Sequence, residues 1–258
     1  MKTFFLTVLS FLFFNQVSAQ NVEVNYYAEL SKSKQHAVLV FDNNQSYFQI
    51  KNLDFDKEKN INAEVVSGDE IKVILDNNKS SIMAEMYKNS SIDNYLINFP
   101  TKDSTVSVVD NVPKIKWEIV EKHTKKILGF KCQKAIATFR GTPLVAFFTP
   151  DISTSFGPEK FDGLPGLILE IYDSTAGLSN RYLAYDIDFK SDSEIKKIKK
   201  NKLVLDYKAY IKLSEIQAKK EIDNYLKQVL SSAPRGAKIE KDGGLKRSGF
   251  EKEFEWEK

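Results

Sequence analysis

Short apolar runs with a two-residue alternation recur along most of this chain. They are rich in β-branched and aromatic residues, and turn-forming stretches such as Asp76-Asn77-Asn78-Lys79 separate them. This pattern is typical of an antiparallel sheet with one buried and one wetter face. The runs that we predict as strands are 22–30, 36–41, 46–50, 71–75, 82–87, 94–99, 115–119, 135–139, 144–149, 167–172 and 180–187.

One segment, residues 215–230, has helical periodicity instead. Ala218, Ile222 and Leu226 share one face, and Ser214 precedes them at an N-cap position. A single apolar stripe on a single helix predicts packing against the sheet. We therefore expect a mainly β (α+β) fold, in which a strongly curved antiparallel sheet or half-barrel wraps this C-terminal amphipathic helix.

The domain organisation follows from the length of 258 residues and from the absence of a Pro/Ser/Gly-rich linker. Both favour a single antiparallel β domain over residues 20–233. Residues 234–258 are rich in glycine and charge, which predicts a flexible tail. Phe250, Phe254 and Trp256 could dock its end.

The first 19 residues have the features of a secretory signal peptide. Lys2 is followed by an apolar run over 4–14 and by the small-x-small pattern Val17-Ser18-Ala19. The run is shorter than the about 20 residues that a spanning helix needs, and no cysteine stands near the cleavage site for lipid attachment. We expect an exported protein, periplasmic or extracellular, that does not span the membrane.

The most specific stretch of the chain is a glycine-proline-glycine turn that leads into an apolar run. Gly163 and Gly166 can adopt positive φ without steric penalty, and Pro165 presets φ for a turn. Pro165-Gly166 therefore predicts a type II corner, and residues 167–171 predict a buried strand leaving it. We refer to Gly163, Leu164, Pro165, Gly166, Leu167 and Ile168 as the signature turn.

The signature turn closely resembles the motif that names the GLPGLI family of bacterial envelope proteins. Blocks before it match the family in order, over about residues 114–172: Trp117-Glu118-Ile119, 129–135, Thr149-Pro150-Asp151-Ile152 and Gly157-Pro158. Phe147-Phe148 departs from the Trp or Tyr of many members. The resemblance implies export to the envelope and no particular activity. The architecture also resembles lipoprotein-carrier-type folds, whose curved sheet encloses an apolar hollow.

The charge balance bears on the partners. The formal net charge is +3, so nucleic acid is not expected, because binding it needs a concentrated basic surface. Lysines are dense only over 190–202. A solvated surface is our main interpretation of that cluster, and contact with anionic headgroups or lipopolysaccharide is the alternative.

No catalytic constellation is recognisable, and we expect no enzyme activity and no cofactor. Cys132 is the only cysteine, and its strand-like context favours a buried, inert thiol over a nucleophile activated by His123. His36 is the one other histidine, and no Gly-x-Ser-x-Gly elbow is present.

We also expect no bound metal, because the chain has no His-x-x-x-His, Cys-x-x-Cys or EF-hand pattern. Asp151, Glu159 and Asp162 flank the signature turn and could offer oxygen ligands to a hard cation. Carboxylates that cap turns in a solvated loop are the favoured interpretation.

Two functions from different classes fit these observations. The first is a non-enzymatic envelope binding protein, with a lipid or apolar peptide held in a cleft between sheet and helix; the 12% aromatic content supports it. Its candidate ligand-binding residues are Trp117 and Phe139 on the concave face, with Leu164 and Pro165 at the rim. The alternative is a structural or assembly accessory to an outer-membrane complex that acts through surface contacts.

Overall fold

The computed structural model describes residues 21–31, 33–53, 61–65, 71–75, 80–100, 104–175, 180–201, 203–232, 247 and 249–258. The proposed signal peptide lies outside these residues. The described part contains fourteen strands, one α-helix and one short 3-10 helix. In chain order the strands are β1 Asn21–Leu30, β2 Ser33–Phe41, β3 Gln45–Leu53, β4 Ile61–Val65, β5 Ile71–Leu75, β6 Ser80–Asn89, β7 Tyr95–Pro100, β8 Thr105–Asp110, β9 Glu118–Ile127, β10 Phe130–Phe139, β11 Thr142–Thr149, β12 Leu167–Asp173, β13 Asn180–Ser191 and β14 Val204–Asp206.

Twelve of these strands form one sheet in the order β14-β8-β7-β6-β3-β2-β1-β13-β12-β11-β10-β9, while β4 pairs with β5 alone. The neighbours are antiparallel except for β14, which pairs parallel with β8. The sheet is open, with β14 and β9 at its edges. The prediction of a mainly β, antiparallel fold with one helix is therefore confirmed.

Side chains, rather than backbone hydrogen bonds, join the two ends of this sheet. Asp110 ends β8, Arg140 follows β10, and each of these strands is second from an edge. Two guanidinium nitrogens of Arg140 donate to the two carboxylate oxygens of Asp110, at 2.7 and 2.9 Å. Such a contact requires the sheet to bend back on itself, so that its inner face encloses the core.

The core follows from the alternation seen in the sequence. In β1, Val24, Tyr26 and Ala28 point inward and are fully buried, while the residues between them are half-buried. Strand β12 departs from the alternation, because it is covered on both faces. Two charged residues of β12 are buried: Glu170 forms ion pairs with Lys125 and Arg181, and Asp173 forms one with Lys252.

The helix, α1, spans Tyr207–Ser232 and so begins eight residues before the predicted start. Asp206 caps it, since its carboxylate accepts the backbone N–H of Ala209 at 2.7 Å. The predicted cap, Ser214, lies inside the helix, where its hydroxyl donates to the carbonyl oxygen of Tyr210. A polar side chain at an N-cap position is an ambiguous signal, because Ser can also satisfy itself within a helix.

The expected wrapping of this helix by the sheet is also corrected. Tyr207, Tyr210 and Ile211 pack on the core, and the helix meets β8 and β14 at one edge of the sheet. Further along, Ile222 is 46% exposed and Tyr225 is 66% exposed. The helix thus packs on the core through its first turns, which lie before the predicted stripe.

The end of the chain packs against the domain. Phe250 and Phe254 are buried, Trp256 is partly buried, and Glu255–Glu257 form the 3-10 helix. The predicted flexible tail over 234–258 is therefore corrected for residues 249–258, and the docking by aromatic residues is what holds them. Residues 234–246 and 248 lie outside the described part.

The region around the predicted strand 115–119 differs as well. Residues 111–117 are irregular, and β9 begins at Glu118. The polar run that contains His123 belongs to this edge strand. Lys122 has a φ of 67° where the register of β9 against β10 shifts, so it sits at a bulge. Bulges and lysines are common protections of sheet edges.

Candidate functional site

The signature turn closes the loop that joins β11 to β12. Gly166 has a φ of 153°, whereas the corresponding residue of a type II turn has a φ of about 80°. A Cβ at Gly166 would overlap the carbonyl oxygen of Thr149 and lie 2.9 Å from Cα of Pro150. Close backbone approach, and not the predicted type II geometry alone, is therefore what requires glycine here.

Two backbone hydrogen bonds hold the loop across its width. The N–H of Gly163 donates to the carbonyl oxygen of Ser155 at 2.9 Å, and that of Leu167 donates to Ile152 at 3.1 Å. Gly163 has a φ of 92°, in the region that favours glycine. The loop is thereby folded back on itself before β12 begins, as the glycine-proline-glycine pattern predicts.

Asp162 anchors the loop to two distant parts of the sheet. The indole N–H of Trp117 donates to its backbone carbonyl at 2.8 Å, and the Tyr95 hydroxyl donates to its carboxylate at 2.9 Å. Burial raises the pKa of the Asp162 carboxyl, and the hydrogen bond from Tyr95 opposes that rise. The loop is consequently tied to β7 and to the segment before β9.

A cleft of about 350 Å³ opens between this loop and the turn that joins β2 to β3. We call it the signature cleft. Its lining consists of one turn segment and two loop segments: Asp42, Asn43, Ser153, Thr154, Ser155, Phe156, Leu164 and Pro165. Leu164 is buried and Pro165 is exposed, so the signature turn contributes both the base and the edge of the cleft.

The walls of the signature cleft differ in chemistry. Phe156, Leu164 and Pro165 are apolar, whereas the other positions carry hydroxyl, amide or carboxylate groups. The Asp42 carboxylate already accepts the backbone N–H groups of Asn44 and Gln45, at 2.7 and 2.8 Å. The site can therefore offer an apolar contact together with hydrogen-bonding groups, and its lining is more polar than that of most small-ligand sites.

The structure separates the four predicted ligand-binding residues. Leu164 and Pro165 line the signature cleft, but Trp117 braces the signature turn from behind, with its ring 3.9 Å from where a Cβ on Gly163 would stand. Phe139 is buried, and its ring packs edge-on against Phe161 at 5.7 Å between centroids. Phe139 is therefore part of the core and Trp117 contacts the loop, so neither of these two residues lines the signature cleft.

The residues considered for nucleophilic chemistry lie in different environments. Cys132 is fully buried in β10, and burial raises the pKa of its thiol to about 11, so the thiol is protonated at neutral pH. His123 is exposed on β9. His36 is buried beside Asn25 and Tyr185, and burial lowers its pKa to about 4, so the ring is neutral.

The three acidic residues near the signature turn do not converge on one point. Asp151 is exposed, Glu159 accepts a hydrogen bond from the Tyr182 hydroxyl at 2.8 Å, and Asp162 is paired with Tyr95. Burial raises the pKa of Glu159 to about 6, and the charge of Lys160 opposes that rise. Among the described residues, no group of three or more His, Cys, Asp or Glu side chains is close enough to hold a metal ion.

Sequence reasoning missed the opposite wall of the signature cleft. Asp42 and Asn43 were recognisable only as turn-formers, and Ser153 to Phe156 only as part of an irregular loop. The available signal was the length of the loop, since long loops on a stiff scaffold often carry recognition. Their meeting depends on the curvature of the sheet, which local pattern does not encode.

These features define a class of protein: a mainly β domain, built on one open and bent sheet, with a ligand-sized cleft beside a rigid loop. None of the described helices is long and apolar enough to cross a membrane. Residues 140–170, which include the loop and the signature turn, match the family model described as "Protein of unknown function (Porph_ging)". No curated protein matches the chain.

Solved structures are similar to the chain at the level of fold. The structure of PNGF-II in a P21 crystal form aligns with a TM-score of 0.50 and 16% identity, over 75% of this chain and 33% of that chain. Its C2 crystal form gives 0.47 and 16%, over 75% and 32%. The chain thus spans about a third of the length of these matches, and the likeness extends to the fold alone.

Proposed function

We propose that this chain is a non-enzymatic binding protein of the cell envelope, which holds an apolar peptide segment in the signature cleft. The observation that carries the proposal is the convergence of Leu164 and Pro165 with hydroxyl and amide side chains from a separate turn and loop. The signal-like pattern of residues 1–19 and the resemblance of the signature turn to the GLPGLI family support export to the envelope.

The dimensions of the cleft favour a peptide over a whole lipid. Its volume of about 350 Å³ is near the lower end of ordinary ligand sites. An acyl chain would cover the exposed hydroxyl groups of Ser153 and Ser155 without satisfying them, which costs free energy. A peptide can place one apolar side chain against Leu164 and Pro165 while its amide groups hydrogen-bond to the polar wall.

The test compares a filled cleft with a matched substitution elsewhere. Ser153→Tyr adds a bulky ring at an exposed cleft position, and Ser91→Tyr adds the same ring at an exposed turn outside the cleft. Fluorescent peptides from a library of short sequences with a central apolar residue are titrated into each protein. Ser153→Tyr should weaken binding at least about tenfold, equivalent to about 1.4 kcal/mol, while Ser91→Tyr leaves it unchanged.

Two outcomes would refute this proposal. One is an equal affinity of both variants for every peptide, which would remove the cleft from the interaction. The other is a lipid that co-purifies with the wild-type protein in native mass spectrometry and is lost on Ser153→Tyr, since that would assign the cleft to a different ligand.

A second candidate function is that of an accessory to an outer-membrane complex, acting through its surface. The observation that favours it is the exposure of apolar side chains on α1, namely Leu213, Ile216, Ile222 and Tyr225. Cross-linking in envelope extracts tests this function. If this function is correct, a defined protein partner should cross-link to the wild-type protein and to Ser153→Tyr but not to Tyr225→Lys. The opposite pattern would assign the partner to the cleft.

A further inference from the structure

The last residues of the chain pack against the end of β8, the turn after β10, the loop between β11 and β12 and the start of α1. We call residues Gly249–Lys258 the C-terminal segment, and we call the residues that receive its charged groups, Asp110, Arg140, Lys160 and Tyr207, the socket. Arg140 and Lys160 are 0% and 2% exposed at their side chains. Two cations are thus buried side by side, a costly arrangement unless carboxylates neutralise them.

The socket itself supplies too little negative charge for these cations. Asp110 pairs with Arg140 and also with Lys160, at 3.0 Å from its Nζ. The C-terminal segment supplies the rest. Glu251 accepts from Lys160 at 2.7 Å, from Arg140 and from the Tyr207 hydroxyl. Glu255 accepts from Nε of Arg140 at 3.0 Å.

The electrostatics agree with this dependence. Burial alone would lower the pKa of Lys160, but the charge of Glu251, together with Tyr207 and Asp110, outweighs it, and the pKa is raised above its ordinary value. The pKa of the partly buried Glu159 is raised mainly by burial, and the negative charge of Glu251 adds to that rise. The charge state of the socket is therefore coupled to the presence of the segment.

Aromatic and backbone contacts complete the arrangement. Phe250 stacks on Tyr182 at 5.8 Å and meets Phe161 edge-on at 4.9 Å between ring centroids. Phe254 packs edge-on against Tyr207 at 5.8 Å. The backbone N–H groups of residues 252 and 253 both donate to the carbonyl oxygen of Arg140, at 2.8 and 2.9 Å. These are the contacts by which proteins hold extended peptides: side-chain anchors at intervals, with main-chain bonds between them.

We propose that the socket is a peptide-binding site for acidic, aromatic segments, and that the C-terminal segment is its resident ligand. The recognised pattern is an aromatic residue followed by a glutamate, repeated four positions later, as in Phe250-Glu251 and Phe254-Glu255. The same segment supplied in trans is the occupant that this chemistry fits. This site is separate from the signature cleft and does not depend on the function proposed for it.

The test uses the full-length chain and a labelled synthetic peptide of residues 249–258. In the wild-type chain the tethered segment competes at a high effective concentration, so peptide binding should be weak. Glu251→Gln removes the central carboxylate of the tethered segment. It should increase the affinity for the wild-type peptide roughly tenfold, because a charge-assisted contact of the competitor is lost. Glu253→Gln, at an exposed position of the same segment, is the matched control.

A second measurement does not depend on a substitution in the segment. A protease site is inserted between residues 243 and 244, and the purified chain is cleaved while folded. The labelled peptide should then exchange with the released segment, with anisotropy rising to saturation, whereas a peptide with both Phe250→Ala and Glu251→Gln should not exchange. The proposal is overturned if Glu251→Gln binds the peptide no better than Glu253→Gln, or if no exchange follows cleavage.

Discussion

Gly166→Ala tests whether close backbone approach holds the signature turn. The Cβ of alanine would overlap the carbonyl oxygen of Thr149 and lie 2.7 Å from its carbonyl carbon. Thr149 is paired with Leu167 at the junction of β11 and β12. The obstructing atoms therefore belong to a paired strand end and not to a flexible side chain, so they can withdraw only if the ladder shifts.

The magnitude has two parts. A non-glycine residue held at a positive φ costs on the order of 1–2 kcal/mol. Forcing an extra methyl group into a packed site adds about 1–3 kcal/mol. The expected loss for Gly166→Ala is therefore about 2–5 kcal/mol, a large share of the about 5–15 kcal/mol that stabilises a typical domain.

Gly129→Ala provides a matched control for the backbone term. Gly129 has a φ of 81° in the turn between β9 and β10, and a Cβ there meets nothing within 4 Å. This variant should lose only the conformational cost, about 1–2 kcal/mol. Urea unfolding followed by circular dichroism gives both free energies of unfolding. The reasoning is refuted if Gly166→Ala is destabilised no more than Gly129→Ala.

Three further predictions follow from single residues. The pKa of Glu159 is raised to about 6 in the folded state, so the native protein binds a proton more tightly than the unfolded chain does. Its contribution to the free energy of unfolding should therefore fall by up to about 2 kcal/mol as the pH rises from about 4.5 to 6. Glu159→Gln should abolish this dependence in urea unfolding at pH 4.5 and 7, and equal pH dependence of variant and wild type would contradict the prediction. Trp117→Phe removes the hydrogen bond to Asp162 and should cost about 1 kcal/mol by thermal unfolding; an unchanged midpoint would mean that the indole N–H does not brace the turn. Cys132, buried and with a raised pKa, should react with N-ethylmaleimide only after unfolding, and stoichiometric labelling of the native protein within minutes would disprove its burial.

The sequence predicts best those features that depend on neighbours along the chain. The run after the signature turn was expected as a buried strand over 167–172, and β12 spans Leu167–Asp173. Alternation identified β1, β2 and β3, because a two-residue period indicates which face of a half-solvated strand is buried. The positive φ predicted for Gly163 and Gly166 is likewise confirmed. Few residues other than glycine can adopt such a backbone conformation.

Features that depend on distant contacts were not predictable in this way. Strand β14 has three residues and pairs parallel with β8, from which it is separated by more than ninety positions. The start of α1 was misplaced, because Ser214 matches the pattern of an N-cap, although Tyr207, Tyr210 and Ile211 already have helical spacing and pack on the core. The curvature that brings β8 to β10 has no local signature at all.

The buried charges illustrate the same limit. Arg140 and Lys160 look like ordinary surface residues, and composition gives no sign that either is buried. Only the structure distinguishes Arg140: it precedes Gly141 in a two-residue hairpin turn, where both have positive φ, at 44° and 77°. An arginine in that conformation is unusual, and the conformation points its backbone carbonyl at the C-terminal segment.

The loop between β11 and β12 has residues that fix its shape on one side and residues that line the signature cleft on the other. Its inward side carries the groups that fix its shape, with Lys160 in the socket and Leu164 against the core. Ser153, Ser155 and Pro165 instead face the signature cleft and are exposed. Because surface substitutions usually change stability by less than about 0.5 kcal/mol, Ser153 and Ser155 can vary with little effect on the fold, whereas Pro165 also presets φ in the signature turn. If the proposed binding function holds, a rigid loop of this kind would let the cleft accept a different ligand without a change in the architecture that supports it.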